Sequence, residues 1–288
     1  MNCIEKAIKL MPSELADKLS RMDTSAVEEI RIRVCKRPSV VMLGEEEIIS
    51  ENAVSRAELD RIIEKATGAS YHMAEQSMSE GYIDYGGLRI GLCGRVNMQK
   101  NKLYSMGRID SIAIRIPAEH KGIADELFEG LYIKDFESTL LLSPPGGGKT
   151  SLLREMCRIL SQKGLRLGVV DERNEILASD GEKGFDLGEH SDVISSVPKA
   201  LGSLMLLRSM NPQIIAMDEI TKEEDVEAIS QLAGCGVKLL ASAHALDCED
   251  LLKRHLYRKL LQLNVFEYAI QIKSEGGKRV YLAERLDQ

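Results

Sequence analysis

Hydrophobic and polar residues alternate through the first part of the chain. In residues 28–43, Ile30 and Ile32 share one face while charged residues occupy the other, which predicts two short strands around a turn. A helical period over residues 55–67 predicts a helix with Ser55 as N-cap and Gly68 as its stop, extended by residues 71–79. Strand patterns return over residues 81–117, with a polar loop at 97–102 and a strand at 111–116. We therefore expect an N-terminal α+β domain over residues 1–118.

Continuous apolar runs replace this alternation in the rest of the chain. After a predicted helix around residues 123–130, apolar runs occur at 139–142, 165–170, 213–217 and 237–243, separated by helical patterns. Buried strands that alternate with helices are typical of a mainly parallel sheet. The sequence therefore predicts an α/β domain over residues 119–288, in which polar residues at the carboxyl ends of the strands converge on one crevice.

A glycine-rich loop follows the first of these strands and precedes a helical pattern. Its glycines let backbone N–H groups turn toward an anion, its lysine adds a charge for the β- and γ-phosphates, and its threonine hydroxyl suits Mg²⁺. Ser143 stands where the usual pattern has glycine, and Pro144 is expected to stiffen the start of the loop. The predicted nucleoside triphosphate site comprises Pro145, Gly146, Gly147, Gly148, Lys149, Thr150 and Ser151.

Adjacent acidic residues end two of the predicted strands. Asp218 and Glu219 form a Walker B pattern, which predicts Asp218 near Mg²⁺ together with Thr150, and Glu219 as the base for the attacking water. The second acid favours an NTPase over a small-molecule kinase. At the other strand end, Glu172 or Asp171 is a candidate to orient water, and Arg173 to neutralise phosphate charge; a solvated charge cluster is the alternative.

His244 ends a further strand, and a neutral imidazole there could hydrogen-bond a γ-phosphate; a structural histidine is the equal alternative. Three arginines, Arg95, Arg115 and Arg208, are candidates to reach a phosphate in cis or from a neighbouring subunit, with surface ion pairs as the alternative.

Composition narrows the functional classes. A net charge of −7 over 288 residues argues against broad nucleic-acid binding. A basic segment, Arg31, Arg33, Lys36 and Arg37, keeps a nucleic-acid-dependent ATPase or packaging motor as a second hypothesis, and a nucleotide-dependent scaffold without turnover is a third. The scattered cysteines have no metal-ligand spacing and are expected to be reduced. Because no apolar run is long enough for a membrane span, any membrane association should need a partner.

The order of these motifs resembles the secretion and pilus ATPases of type II and type IV systems, a branch of the RecA-like P-loop NTPases. More narrowly, residues 28–34, 144–150, 170–176 and 208–213 are similar to the stage III sporulation protein AA family of endospore-forming bacteria. This resemblance implies a RecA-like domain that hydrolyses ATP with Mg²⁺ in a hexameric ring. It also implies a cytoplasmic, mother-cell protein, peripheral to the membrane, that docks on membrane-embedded channel proteins between mother cell and forespore.

Overall fold

A computed structural model of the chain describes residues 3–24, 26–42, 44–68, 78–99, 102–131, 135–179, 184–275 and 278–286. The chain divides into two units, one of residues 1–118 with 178–184 and one of residues 119–177 with 185–288. Residues 71–77 of the predicted helical extension lie outside the described residues. In the part that is described, no helix is both long and apolar enough to cross a bilayer.

An antiparallel sheet forms the first unit. Its strands are β1 (Val27–Arg33), β2 (Ser39–Met42), β3 (Glu45–Ile48), β4 (Tyr82–Tyr85), β5 (Leu88–Gln99) and β6 (Lys102–Arg115). They are hydrogen-bonded in the order β3-β2-β1-β6-β5-β4. The helices of this unit include α1 (Cys3–Leu10), α2 (Ser13–Arg21) and α3 (Arg56–Ala66), whose apolar residues share one core with those of the strands.

The alternation in the sequence explains this packing. Ile30 and Ile32 are fully buried, and Ser55 caps α3 with a capping box, so both predictions are confirmed. The prediction of a loop at 97–102 and a strand beginning at 111 was wrong. β5 and β6 form one long hairpin that pairs Asn97 with Ser105. Val96 and Met98 alternate with polar residues on the outer part of β5, but both are exposed, so no core-facing stripe marks the strand there.

A mainly parallel sheet forms the second unit, as predicted. Its strands are β7 (Thr139–Leu142), β8 (Leu167–Asp171), β9 (Ser191–Ser195), β10 (Ile214–Met217), β11 (Lys238–Ala243), β12 (Tyr268–Glu275) and β13 (Lys278–Arg285). Their order is β13-β12-β7-β11-β10-β8-β9, and every neighbouring pair is parallel except the hairpin of β12 and β13. Neither β9 nor this hairpin was predicted from the sequence. Exposed residues in β9 and β13 interrupt the continuous apolar run that is typical of a buried strand.

Helices cover both faces of this sheet. They are α4 (Asp125–Gly130), α5 (Lys149–Gln162), α6 (Lys199–Met210), α7 (Glu223–Gly234), α8 (Cys248–Leu252) and α9 (His255–Gln262). One core contains apolar residues of α4 and α5, and the other contains those of α6, α7 and α9. Successive residues of one strand, such as Leu140 and Leu141, enter opposite cores. Because the central strands β7, β11, β10 and β8 are adjacent and parallel, their carboxyl ends lie at one edge of the sheet.

Candidate functional site

The glycine-rich loop connects β7 directly to α5. Gly146 and Gly148 have φ values of +76° and +96°, a region that favours glycine. Ser143, in place of the usual glycine, is fully buried, and its hydroxyl donates to the Pro144 carbonyl at 2.9 Å. A Cβ on Gly147 would lie 2.2 Å from the Ser143 Oγ. The serine therefore fits because the residue packed against it has no side chain.

Lys149 begins α5 and folds back over the loop. Its Nζ lies 3.0 Å from the carbonyl oxygens of both Ser143 and Pro144, and 2.9 Å from Nδ1 of His244. The side chain is almost completely buried. Burial lowers the pKa of Lys149, and the negative charges of Asp218 and Glu219 oppose that shift. A phosphate at the loop would replace partners that already hold this ammonium group in position.

Asp218 lies at the end of β10 and faces α5. Its Oδ2 accepts a hydrogen bond of 2.6 Å from the Thr150 hydroxyl. Its Oδ1 accepts from the Ser242 hydroxyl and from the Glu219 N–H, the latter at 3.0 Å. Ser242 was not among the residues predicted from the sequence, although a serine inside the apolar strand β11 is a signal that its hydroxyl has a buried partner.

The side chains of Thr150 and Asp218 suit Mg²⁺. Both present oxygen atoms, the ligand type that Mg²⁺ prefers, and Mg²⁺ commonly takes one or two protein oxygens and completes its shell with water and phosphate. Within the described ranges, no group of three or more His, Cys, Asp or Glu side chains could hold a metal ion alone. The residues present therefore fit an ion that arrives with a nucleotide.

Glu219 and His244 form the centre of the site. Oε1 of Glu219 lies 2.8 Å from Nε2 of His244, and its Oε2 accepts from Arg173 at 3.2 Å. Because the Lys149 ammonium can only donate, Nδ1 of His244 accepts and Nε2 carries the proton; this tautomer is assigned from the partners. His244 thus connects Lys149 to Glu219 in one hydrogen-bonded chain.

The backbone of Glu219 is also unusual. Its φ is +46°, and its N–H donates to the Ser242 hydroxyl at 2.9 Å. A non-glycine residue in this region is strained by roughly 1 kcal/mol or more. The hydrogen bonds that the Glu219 N–H donates to Ser242 on β11 and to Asp218 hold Glu219 in a conformation that directs its carboxylate toward His244.

The acids at the end of β8 have different partners. Asp171 is buried, and its oxygens accept from the backbone N–H groups of Glu175, Ile176 and Leu177 at 2.8 to 3.1 Å. Burial raises the pKa of Asp171, whereas these N–H groups oppose the rise. Glu172 forms an ion pair with the buried Lys199. Of the residues predicted at this strand end, Arg173 is the one that contacts the Walker B acids.

A small cleft opens between the ends of β8 and β10. Glu172, Arg173, Lys199, Asp218 and Glu219 are among its lining residues. The structure thus brings Lys149, Thr150, Asp218, Glu219, His244 and Arg173 into one connected group. Asp171 and Glu172 border that group and are held by other partners.

The arginines proposed from the sequence lie in different places. Arg95 and Arg115 are exposed on β5 and β6 of the first unit, and Arg208 is exposed in the last turn of α6. A further arginine, Arg279 on β13, lies beside Gly148 of the loop. Arg279 was not among the residues predicted from the sequence, because nothing in the local pattern around it indicates that β13 returns to the loop.

Comparison with known proteins agrees with this fold. The family described as "Sporulation stage III, protein AA" matches residues 5–281. Stage III sporulation protein AA of Bacillus subtilis (strain 168) is 31% identical over 279 residues, which cover 93% of this chain and 91% of that protein.

Solved structures of secretion and pilus ATPases share the fold. The ATPase DotB of Legionella pneumophila matches with a TM-score of 0.64 at 17% identity, covering 96% of this chain and 81% of that one. The pilus retraction motor PilT, solved with bound ADP, matches with a TM-score of 0.61 at 16% identity, covering 95% of this chain and 81% of that one. With a RecA-like secretion-ATPase fold and a family match over nearly its full length, this chain belongs to the stage III sporulation protein AA family.

Proposed function

We propose that this protein is an ATP-hydrolysing, secretion-type ATPase of the sporulation channel between mother cell and forespore. The observation that carries the proposal is the hydrogen-bonded chain from Lys149 through His244 to Glu219, beside the contact between Thr150 and Asp218. These residues come from two different strand ends, those of β10 and β11, and from the start of α5, so their convergence depends on the fold.

Each residue has a distinct role in the proposed reaction. The loop N–H groups and Lys149 bind the phosphates, and Thr150 and Asp218 hold Mg²⁺, which supplies positive charge to the phosphate oxygens when it is bound. Glu219 is the base that takes a proton from the attacking water. Arg173 is near enough to Glu219 to neutralise charge that develops during transfer. His244 reports phosphate occupancy, because a phosphate and the imidazole compete for Lys149.

The proposal extends from the site to the assembly. Residues 1–118 form one domain, and residues 119–288, apart from the segment 178–184 that groups with the first unit, form the ATPase domain. Hydrolysis changes the relation of the two domains within a homo-oligomeric, hexameric ring. The ring docks from the mother-cell cytoplasm on membrane-embedded channel proteins. Family membership and the secretion-ATPase fold support this arrangement.

The ATPase rate as a function of protein concentration tests the proposal, with light scattering to measure the mass of the assembly. We expect a rate per subunit that rises with assembly and that Lys149→Ala abolishes. Arg285→Ala is a matched control, since Arg285 is exposed on β13 and its contact is Glu267, at 3.7 Å. Wild-type protein that fails to bind ATP would contradict the proposal. ATP binding without turnover, in assembled protein and with its channel partners present, would favour the scaffold.

A nucleic-acid-dependent ATPase is the second candidate, and the basic strand residues weigh against it. Arg31 pairs with Glu29, Arg33 with Glu46 at 2.7 Å, and Arg37 with Glu51 at 2.8 Å. These carboxylates neutralise much of the charge that a phosphate backbone would need. Adding single-stranded DNA to the ATPase assay separates the two candidates, because stimulation by DNA would favour the nucleic-acid motor.

A further inference from the structure

The hairpin of β12 and β13 carries an arginine to the phosphate loop. A Cβ built on Gly148 would lie 2.8 Å from both Cζ and Nε of Arg279, and 3.0 Å from its Nη1. The guanidinium therefore packs directly against the backbone of the last glycine before Lys149. Any larger residue at position 148 would collide with it, in addition to the strain that a φ of +96° imposes.

Strand register explains how a residue so far along the chain reaches the loop. β12 runs parallel to β7 and pairs Gln271 with Leu142, the last residue of β7. β12 then continues to Glu275, and β13 returns with Arg279 opposite Ser274. Arg279 thus lies three residues beyond the end of β7, roughly 10 Å at strand spacing, on the side where the loop begins.

The charges around this position favour an anion. Lys149 adjoins Gly148, and the N-terminus of the 14-residue helix α5 adds partial positive charge. Tyr281 lies close enough for the charge of Arg279 to lower its pKa, yet burial raises that pKa overall, so the phenol stays neutral. Arg279 thus adds a second basic side chain, beside Lys149, to a loop whose backbone N–H groups already suit phosphate.

We propose that Arg279 binds the phosphates of the nucleotide at this loop, in cis, and contacts the α- or β-phosphate rather than the γ-phosphate. Its planar guanidinium can donate two parallel hydrogen bonds to one phosphate group. The position beside Gly148 is on the part of such loops that cradles the α- and β-phosphates. The inference rests on the proposed nucleotide site, and it adds a contact that ATP and ADP share.

Equilibrium binding of fluorescent ADP and ATP analogues, with Mg²⁺, tests this role. We expect Arg279→Ala to weaken both nucleotides by about ten- to a hundredfold, the effect of losing hydrogen bonds to a charged group. Arg279→Lys should recover part of the affinity, because lysine keeps the positive charge but cannot donate two parallel hydrogen bonds from one planar group. In turnover assays the KM for ATP should rise while kcat changes little. Arg285→Ala, on the same strand, should bind as wild type, and circular dichroism should show that each variant is folded.

The outcomes separate this inference from the proposed function. If wild-type protein binds both nucleotides and Arg279→Ala binds them equally well, Arg279 is not a phosphate ligand, although the nucleotide site stands. If Arg279→Ala weakens ATP alone, the contact with the α- or β-phosphate is wrong. If neither wild-type protein nor Lys149→Ala binds either nucleotide, both the proposed function and this inference are overturned.

Discussion

Two strand ends in the parallel sheet carry the same sequence pattern, two adjacent acidic residues, but their side chains have different partners. Asp218 and Glu219 at the end of β10 contact Thr150, Ser242 and His244. Asp171 at the end of β8 contacts the backbone of its own loop, and its neighbour Glu172 contacts lysines.

Position in the sheet accounts for the difference. β11, which carries Ser242 and is followed directly by His244, lies between β10 and β7, whereas β8 is one strand farther from the glycine-rich loop. At about 4.8 Å per strand, β8 is roughly 14 Å from β7 and β10 is roughly 10 Å. Adjacent acids after an apolar strand therefore indicate a strand end, and the order of the strands decides which end lies nearer the glycine-rich loop.

The largest expected effect separates the two candidate bases. Glu219→Gln should lower kcat by about a hundredfold or more, the usual contribution of a general base, while ATP binding persists. Glu172→Gln should lower kcat less than about tenfold, because the Glu172 carboxylate is already paired with Lys199. The measurement is steady-state hydrolysis at saturating ATP, with ATP binding measured in parallel. An equal loss of kcat in both variants would contradict the distinction between the strand ends.

Asp171→Asn should instead affect stability. The amide nitrogen would face backbone N–H groups that now donate to a carboxylate, so buried donors lose their acceptor. We expect the free energy of unfolding to fall by about 2 kcal/mol, as measured by urea denaturation. Asp192→Asn, at an exposed position on β9, is the control and should change little. A fully stable Asp171→Asn variant with lost turnover would place Asp171 among the reacting groups instead.

Local patterns predicted the parallel sheet, the glycine-rich loop between β7 and α5 and the paired acids after β10, because each depends on residues that are neighbours in the chain. The other features depend on contacts between residues that are far apart in the chain, which a local pattern does not show. The roles of Asp171 and Glu172 depend on Lys199 and on the N–H groups of a loop, and the approach of Arg279 depends on the register of a hairpin that the sequence analysis did not identify. Ser143 looked like a departure from the pattern, and only the contact with Gly147 shows how it fits.

A smaller effect tests the burial of Lys149 beside the Walker B acids. Burial lowers the pKa of Lys149 in the folded state, so the unfolded chain binds this proton more tightly. Stability from this group should therefore rise with pH between its folded and unfolded pKa values. Urea denaturation of wild type and Lys149→Met should show that, from neutral to alkaline pH, the free energy of unfolding of wild type rises relative to that of the variant. A constant difference between them would contradict a lowered pKa.

The smallest expected effect concerns the backbone of Glu219 itself. At a φ of +46°, Glu219→Gly should be more stable than Glu219→Ala by about 1 kcal/mol, because glycine has no Cβ to strain there. Glu227 provides a control of opposite sign. It is exposed within α7, where Glu227→Gly should be less stable than Glu227→Ala by roughly 1 kcal/mol. If urea denaturation showed the glycine variant to be less stable than the alanine variant at both positions, the strained conformation assigned to Glu219 would be wrong. If the signs differ, the fold maintains that strain at a residue whose carboxylate serves the proposed reaction.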